Sequence, residues 1–221
     1  MKHRLIVIDG LDGSGKQTQT ERLTAALTER GYSVKHISFP DYNQPSSALV
    51  KMYLGGEFGK EPGDVNAYAA SSFYAVDRFA SYKKFWKDDY EAGTVILADR
   101  YVSSNAIYQM TKLPKEEWEA YLNWLEEYEF GRLQLPRPDC ILYLDMPPEV
   151  SQKLMALRYH GDESKKDIHE SHVEFLKQCR ETAFYTAQRQ NWNVIACARE
   201  NAPRSIEEIS EEVLQKVLEV I

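Results

Sequence analysis

Cysteines are few in this sequence, and they lie far apart. The 221 residues contain Cys140, Cys179 and Cys197, and no C-x-x-C pair. Disulfide scaffolds are dense in cysteine, and cysteine-based zinc sites usually contain C-x-x-C pairs, so this count and spacing argue against both. Two of the three fall in apolar runs that resemble strands. We therefore expect reduced thiols packed in the interior.

Long apolar segments and an excess of positive charge are also missing. No run approaches the ~20 apolar residues that span a bilayer, and residues 1–4 lead directly into the first predicted strand. We therefore expect no signal peptide, no membrane partner and a cytoplasmic protein. The net charge of -7 argues against a broad basic surface for nucleic acid. An anionic ligand would have to be bound by local cations and backbone amides.

Short apolar runs alternate with helical patterns along the chain. Helical spacing includes a long pattern from Asp64, the predicted N-cap, to about Tyr90, and a final helix that opens with a capping box at Ser205 and Glu208. This alternation predicts an α/β fold, a five-stranded parallel sheet with helices on both faces, in a single domain over residues 1–221. The predicted strands are residues 5–8, 34–39, 95–98, 140–144 and 194–197.

The turn after the first predicted strand is rich in glycine. It fits the pattern G-x-x-x-x-G-K and precedes a predicted helix, which is the context of a phosphate-binding loop. Glycines allow successive backbone N–H groups to converge on an anion, and the helix adds the positive end of its dipole. Lys16 is predicted to contact the β- and γ-phosphates of ATP. The predicted ATP-binding residues here are Gly10, Leu11, Asp12, Gly13, Ser14, Gly15, Lys16, Gln17 and Thr18.

The position after the lysine departs from this pattern. Gln17 stands where a serine or threonine hydroxyl usually holds Mg²⁺, and Thr18 comes one residue later. We therefore expect Mg²⁺ to be held mainly by the nucleotide and water. Asp99, at the end of the third strand, is the protein residue predicted to contact Mg²⁺, through a water molecule.

Side chains in the middle of the chain predict a second ligand. Asp99 and Arg100 follow the third strand, at the edge where α/β sheets bind ligands, and an arginine fork suits a second phosphate. Tyr74 and Arg78 lie one helical turn apart and share a face that suits a nucleobase. The alternatives are a structural ion pair for Arg100 and ordinary packing for Tyr74 and Arg78. Asp12 would repel phosphates and is better suited to a sugar hydroxyl.

Together these motifs resemble thymidylate kinases, which transfer the γ-phosphoryl group of ATP to dTMP, giving dTDP and ADP in dTTP biosynthesis. The resemblance runs over nearly the whole chain. It implies a P-loop kinase fold, an ATP-dependent nucleoside monophosphate kinase, Mg²⁺ and a homodimer. Besides the glycine-rich loop, the matching stretches are Tyr74-Ala75-Val76-Asp77-Arg78, residues 99–109, Leu142-Tyr143-Leu144-Asp145 and Pro147-Pro148-Glu149.

The resemblance also implies roles for the residues that would bind dTMP. Tyr74 would stack on thymine, Arg78 would contact its O4, and Asn105 would face its N3 edge. Asp12 would meet the 3′-hydroxyl group, and Tyr108 would lie near the 2′ side of the sugar, which favours deoxyribose.

Phosphate recognition departs from the family in one place. Arg100 is expected to hold the acceptor phosphate, but Tyr42 stands where the family usually has a second arginine. Lys51 is the candidate replacement. A lid is predicted at about 158–170, with Arg158 as its cation and a further ATP-binding residue, helped by Lys165 or Lys166. The predicted catalytic residues are Lys16, Asp99, Arg100 and Arg158.

Two other functions remain open on the sequence. Tyr42 weakens the case for a monophosphate, so the acceptor could be another deoxynucleotide or a deoxynucleoside. A non-catalytic nucleotide-binding switch is the third hypothesis. Asp99, Arg100 and the face formed by Tyr74 and Arg78 argue against that third hypothesis, because a switch needs no acceptor site.

Overall fold

A parallel sheet of five strands forms the centre of the molecule. The structure is a computed structural model and describes residues 4–59, 61, 63–158 and 173–221. The sheet order is β2-β3-β1-β4-β5, and each pair of neighbours is parallel. The predicted five-stranded parallel α/β fold is confirmed. The strands are β1 (Arg4–Gly10), β2 (Val34–Ser38), β3 (Val95–Asp99), β4 (Cys140–Asp145) and β5 (Asn193–Ala196).

Helices cover both faces of this sheet. Side chains alternate along β1, so that Leu5 and Val7 pack on one face and Ile6 and Ile8 on the other. Burial on both sides explains why the strand is a continuous apolar run rather than an alternating one. The helices are α1 (Lys16–Glu29), α2 (Ala48–Leu54), α3 (Ala67–Ser81), α4 (Lys87–Glu91), α5 (Val102–Tyr108), α6 (Trp118–Glu126), α7 (Pro148–Arg158), α8 (Val173–Gln190) and α9 (Ile206–Leu218).

The two helical layers have different members. Helices α1 and α9 pack together on the face that carries Ile6 and Ile8, whereas α3, α5, α6 and α8 contribute to the other layer. A short antiparallel hairpin of β6 (Ala198–Arg199) and β7 (Ala202–Pro203) leads into α9. No helix in the described parts of the chain is long and apolar enough to cross a bilayer.

The long helical pattern in the middle of the chain is interrupted. A π-helical turn, Tyr82–Trp86, separates α3 from α4. The predicted N-cap at Asp64 is wrong, because the side chain of Asn66 accepts the hydrogen bond from the backbone N–H of Ala69 at 2.9 Å. The carboxylate of Asp64 instead accepts from the backbone N–H of Glu61 at 3.0 Å, within the preceding turn.

The last helix begins as predicted. The Ser205 hydroxyl accepts from the backbone N–H of Glu208 at 3.2 Å, and the Glu208 carboxylate accepts from the backbone N–H of Ser205 at 3.1 Å. This reciprocal capping box fixes the start of α9 beside the hairpin.

Part of the predicted organisation lies outside the described residues. This applies to Lys165 and Lys166 and to the predicted lid after Arg158, which is the last residue of α7. The side chain of Arg158 is likewise outside the described part. The single domain over residues 1–221 stays a prediction.

Candidate active site

The glycine-rich loop joins β1 to α1 in a tight curve. Gly15, the N-cap of α1, has a φ of 87°, a left-handed conformation that glycine adopts without strain. A Cβ atom on Gly10 would lie 2.8 Å from the carbonyl oxygen of Leu144, so the loop approaches β4 too closely for a side chain. The first turn of α1 carries no acidic residue. Its N-terminus therefore presents uncompensated N–H groups, which favour an anion.

Lys16 lies inside the curve of this loop. Its Nζ donates hydrogen bonds of 3.0 Å to the carbonyl oxygens of Gly10 and Leu11, and it lies 3.8 Å from Oδ1 of Asp12. Burial lowers the pKa of Lys16, and the charge of Arg100 lowers it further. The ammonium group is thus held at the loop by carbonyl dipoles and a neighbouring carboxylate.

A cavity of about 710 Å³ opens at the loop, and we call it the donor cavity. The loop and the start of α1 line one side of it, and Gln19 is tied to α9 by a hydrogen bond of 3.2 Å to the carbonyl oxygen of Ile206. Its lining residues are Asp12, Gly13, Ser14, Gly15, Lys16, Gln17, Thr18, Gln19, Asp99, Arg100, Met146, Leu154, Pro203, Arg204, Ser205, Ile206, Glu207 and Ile209.

A second cavity of about 320 Å³ lies beside it, and we call it the acceptor cavity. Its volume falls in the range of small-molecule sites. Aromatic side chains, among them Phe39, Tyr53 and Phe175, form much of its wall. The cavity brings together every residue predicted to bind dTMP, namely Asp12, Tyr42, Tyr74, Arg78, Arg100, Asn105 and Tyr108.

Asp12 and Arg100 line both cavities. Arg100 has a φ of 66°, an unusual backbone conformation for a residue with a side chain and one that is found at functional sites. Its NH2 donates to Oδ1 of Asp12 at 2.5 Å, and its NH1 donates to the hydroxyl of Tyr108 at 3.1 Å. The structural ion pair that was the alternative interpretation of Arg100 is therefore present. It lies where the two cavities meet, and we call this place the junction.

Two further carboxylates lie near the loop. Oδ1 of Asp99 is buried and has no hydrogen-bond partner within the described residues, and burial raises the pKa of Asp99. Asp9 accepts hydrogen bonds from the backbone N–H of Gly10 at 2.8 Å and from the hydroxyls of Ser103 and Ser104 at 2.7 and 2.8 Å. Asp9 thereby fixes the start of α5 against the loop.

Arg78 and Asn105 share one buried partner at the acceptor cavity, Glu129. Nε and NH2 of Arg78 donate to the two oxygens of Glu129 at 2.7 and 2.5 Å. Nδ2 of Asn105 donates to Oε1 of the same carboxylate at 3.0 Å. Glu129 is fully buried and Arg78 is 1% exposed.

The loop that carries Tyr42 is anchored to α3. Asp77, which is buried, accepts from the backbone N–H of Asp41 at 2.9 Å and from the hydroxyl of Ser46 at 2.6 Å. Tyr42 itself is half exposed at the mouth of the acceptor cavity. Lys51, the candidate replacement cation, is exposed on α2 and is not among the described residues that line this cavity.

Comparison with known proteins identifies a family to which this chain is similar. A family model of thymidylate kinases matches residues 8–213. A thymidylate kinase from Mycobacterium tuberculosis is 32% identical over 190 residues, which cover 85% of this chain and 87% of that protein. One from Caenorhabditis elegans is 32% identical over 157 residues, which cover 66% of this chain and 65% of that protein. The chain belongs to the thymidylate kinase family.

A solved structure gives the same fold. The thymidylate kinase of Candida albicans matches with a TM-score of 0.73 at 21% identity, covering 99% of this chain and 92% of that one. The resemblance inferred from the motifs is confirmed. Membership makes the chain an ATP-dependent nucleoside monophosphate kinase, a transferase. The main predicted function, phosphorylation of dTMP to dTDP, is the one that the family supports.

Sequence reasoning missed two parts of this site. The first part is the wall of the donor cavity around Arg204 and Ile206. Apart from the capping box, nothing in the sequence of this segment indicates a binding site. The second part is Glu129, for which the sequence does contain a signal. It lies four residues after Leu125, at the spacing that places Trp118, Leu122 and Leu125 in the core, so a charge stands where the helical pattern calls for an apolar residue.

Proposed function

We propose that this chain transfers the γ-phosphoryl group of ATP to dTMP, with ATP in the donor cavity and dTMP in the acceptor cavity. One observation carries the proposal: Asp12 and Arg100 line both cavities, so the phosphates of two ligands would meet there. Phosphoryl transfer needs donor and acceptor aligned and their charge neutralised, and little covalent chemistry from the protein.

On the donor side, the loop would bind the phosphates through backbone N–H groups at the start of α1. Lys16 would exchange its hydrogen bonds with the carbonyl groups of Gly10 and Leu11 for the β- and γ-phosphates. The adenosine would extend toward the wall formed by Arg204 and Ile206.

On the acceptor side, the base would lie at the end that holds Tyr74, Arg78 and Asn105. Arg78 can donate to O4 of thymine. Both amide hydrogens of Asn105 are donated within the protein, to Glu129 and to the carbonyl oxygen of Ser71, so its Oδ1 is left to accept from N3–H. Asp12 and Tyr108 would contact the sugar, and Arg100 the monophosphate.

At this site, Mg²⁺ would be held mainly by the nucleotide and by water. Gln17 has no hydroxyl group to offer as a ligand, and its exposed amide donates to Glu21 at 3.0 Å. The described residues contain no group of three or more metal-ligating side chains. Asp99 has a buried oxygen without a hydrogen-bond partner among them, and it would hold the metal through water. The bound metal would neutralise charge on the phosphates of ATP.

The side chains around the junction would act in two ways. Lys16 and Arg100 would stabilise the charge of the transferring group, and Asp12 would keep the Arg100 fork oriented between the cavities. Arg158 and the predicted lid would add a cation and exclude water.

Homodimer formation and a cytoplasmic location also stay predictions. Val76 and Phe79 are about two-fifths exposed on α3, a surface that a second copy would cover. The three cysteines are buried and unpaired, as expected in a reducing compartment.

Tyr74→Leu tests the placement of the acceptor base. Base stacking on an aromatic ring is worth ~1–3 kcal/mol, so KM for dTMP should rise about tenfold while KM for ATP stays within about twofold. The measurement is steady-state kinetics by coupled ADP release, with dTMP and ATP varied in turn. Tyr32→Leu, at a partly exposed tyrosine outside both cavities, is the matched control. An equal rise in both KM values would mean that this helix face is structural.

A further inference from the structure

Glu129 is a buried charge that binds two recognition residues at once. It lies in the π-helical turn Glu127–Arg132 that follows α6, and it is fully buried. Its two oxygens receive Nε and NH2 of Arg78 at 2.7 and 2.5 Å, a bidentate pair that fixes the plane of the guanidinium group. NH1 of Arg78 donates to the carbonyl oxygen of Tyr101 at 3.3 Å, so all three nitrogens of the guanidinium group are hydrogen-bonded within the protein.

The same carboxylate sets the orientation of the Asn105 amide. Nδ2 of Asn105 donates to Oε1 of Glu129 at 3.0 Å and to the carbonyl oxygen of Ser71 at 3.2 Å. A flipped amide would place its oxygen against a carboxylate and a carbonyl, both of which are acceptors only. Oδ1 of Asn105 is therefore the atom that remains for the acceptor cavity.

Arg78 and Asn105 thus present a donor beside an acceptor. Thymine offers the complement, since its O4 accepts and its N3–H donates. Cytosine offers the reverse, because its N4 amino group donates and its N3 accepts. Against this pair, cytosine would place donor against donor and acceptor against acceptor. A site with fixed polar groups rejects such a mismatch strongly, because the buried groups are left unpaired.

We propose that Glu129 is the positioning residue that makes the acceptor site select the thymine edge over the cytosine edge, by fixing Arg78 and the amide of Asn105. The inference rests on the proposed function, in which dTMP is the acceptor. A buried ion pair is weak evidence for stability, because apolar residues of similar volume often replace it without loss. The third bond, to Asn105, links this pair to recognition at the cavity.

Glu129→Gln is the test, with Glu127→Gln as its matched control. Glu127 lies in the same turn and also pairs with an arginine, Arg132, at 2.8 Å, but both partners are exposed. KM and kcat would be measured for dTMP, dUMP and dCMP, together with KM for ATP. dUMP serves as an internal standard, because it has the same hydrogen-bonding edge as dTMP.

Glu129→Gln should raise KM for dTMP and for dUMP about tenfold, corresponding to ~1.4 kcal/mol of binding. KM for ATP should stay within about twofold, and the preference for dTMP over dCMP in kcat/KM should fall about tenfold, on the same scale. Glu129→Asp keeps the charge on a shorter stem and should recover part of the preference. Glu127→Gln should match the wild type in all of these constants.

The outcomes separate this inference from the proposed function. A wild-type enzyme that transfers no phosphoryl group to dTMP overturns both. A wild-type enzyme that uses dTMP and dCMP equally well leaves the proposed function standing and overturns this inference. A selective wild type whose preference is unchanged in Glu129→Gln overturns only the role of Glu129. A parallel rise in KM for ATP and dTMP also overturns it, because that is the signature of general structural damage. If Glu129→Gln does not fold, Glu129→Asp decides. Its shorter stem should not reach Arg78 and Asn105 together, so part of the preference for dTMP over dCMP should be lost, and full wild-type selectivity would contradict the proposal.

Discussion

Tyr42 stands at the position where the resemblance to thymidylate kinases predicts a second arginine. An acceptor phosphate carries close to two negative charges at neutral pH, and Arg100 is the arginine that the structure places at the junction. Tyr42 lies at the mouth of the same cavity with a neutral hydroxyl group. A neutral hydrogen bond is roughly half as strong as a charged one. We therefore expect weaker phosphate recognition than the family pattern gives.

Tyr42→Arg should strengthen dTMP binding. KM for dTMP should fall by up to ~10-fold, which corresponds to ~1.4 kcal/mol. The gain should shrink at high salt, because an exposed charge is screened. The check is a dTMP titration of wild type and variant at two ionic strengths with ATP saturating. A variant with unchanged KM would show that position 42 does not reach the phosphate.

Lys112 makes a pH-dependent contribution to stability. Its Nζ donates to the hydroxyl of Tyr53 and to the carbonyl oxygen of Val65, each at 2.9 Å, and burial lowers its pKa to about 8. Between this pKa and the ordinary lysine pKa of 10.5, the unfolded chain binds more protons than the folded one. The penalty for burying the charge is therefore complete below pH ~8 and is relieved as the pH rises toward ~10.5.

Lys112→Met removes this titration. The free energy of unfolding of the wild type, minus that of Lys112→Met, should become more favourable to the wild type from pH ~7.5 to ~9.5. Urea unfolding of both proteins at several pH values in this range measures the difference. Parallel curves would show that Lys112 has an ordinary pKa in the folded protein.

At the scale of elements, local patterns predicted the strands and the helix starts that carry their own signals. The continuous apolar run at β1 and the capping box of α9 both follow from neighbouring residues alone. The start of α3 does not. Asp64 and Asn66 are both good N-caps by type, and the choice between them depends on the turn in which Asp64 bonds to Glu61.

Asn66→Ala tests this assignment. Loss of an N-cap costs about 1 kcal/mol, so urea unfolding should show a clear drop in stability. Asp64→Ala, two residues earlier, is the matched comparison and should cost about half as much or less, because its hydrogen bond lies in an exposed turn. A larger loss of stability in Asp64→Ala than in Asn66→Ala would indicate that Asp64 is the N-cap.

The site shows the same division between local and distant information. The residues predicted to bind the acceptor do line one cavity, because most of them follow strand ends or lie on one face of α3. The partner of Arg78 could not be read in this way. Glu129 is 51 positions away on another element, and only packing brings the two together. A charge at a core position of the helical pattern is a signal that could have drawn attention to Glu129, but it does not identify the partner.

At the scale of the whole molecule, the sheet brings two cavities to one edge. The loop after β1 and Arg100 after β3 lie on neighbouring strands, and β1 pairs directly with β3. The carboxyl ends of parallel neighbours meet at the same edge, which is where α/β sheets bind ligands. The α9 segment supplies the other wall of the donor cavity. The architecture therefore explains how Asp12 and Arg100 come to line both cavities.

The most direct test of the central claim is to follow the γ-phosphoryl group itself. ATP labelled at its γ-phosphorus would be incubated with the enzyme and Mg²⁺, with dTMP, with thymidine, or without an acceptor, and the labelled products would be separated. Label should appear in dTDP when dTMP is present, with little in inorganic phosphate and none in a product of thymidine. Release of labelled phosphate at the same rate with and without dTMP, or preferential phosphorylation of thymidine, would contradict the assignment of the acceptor cavity.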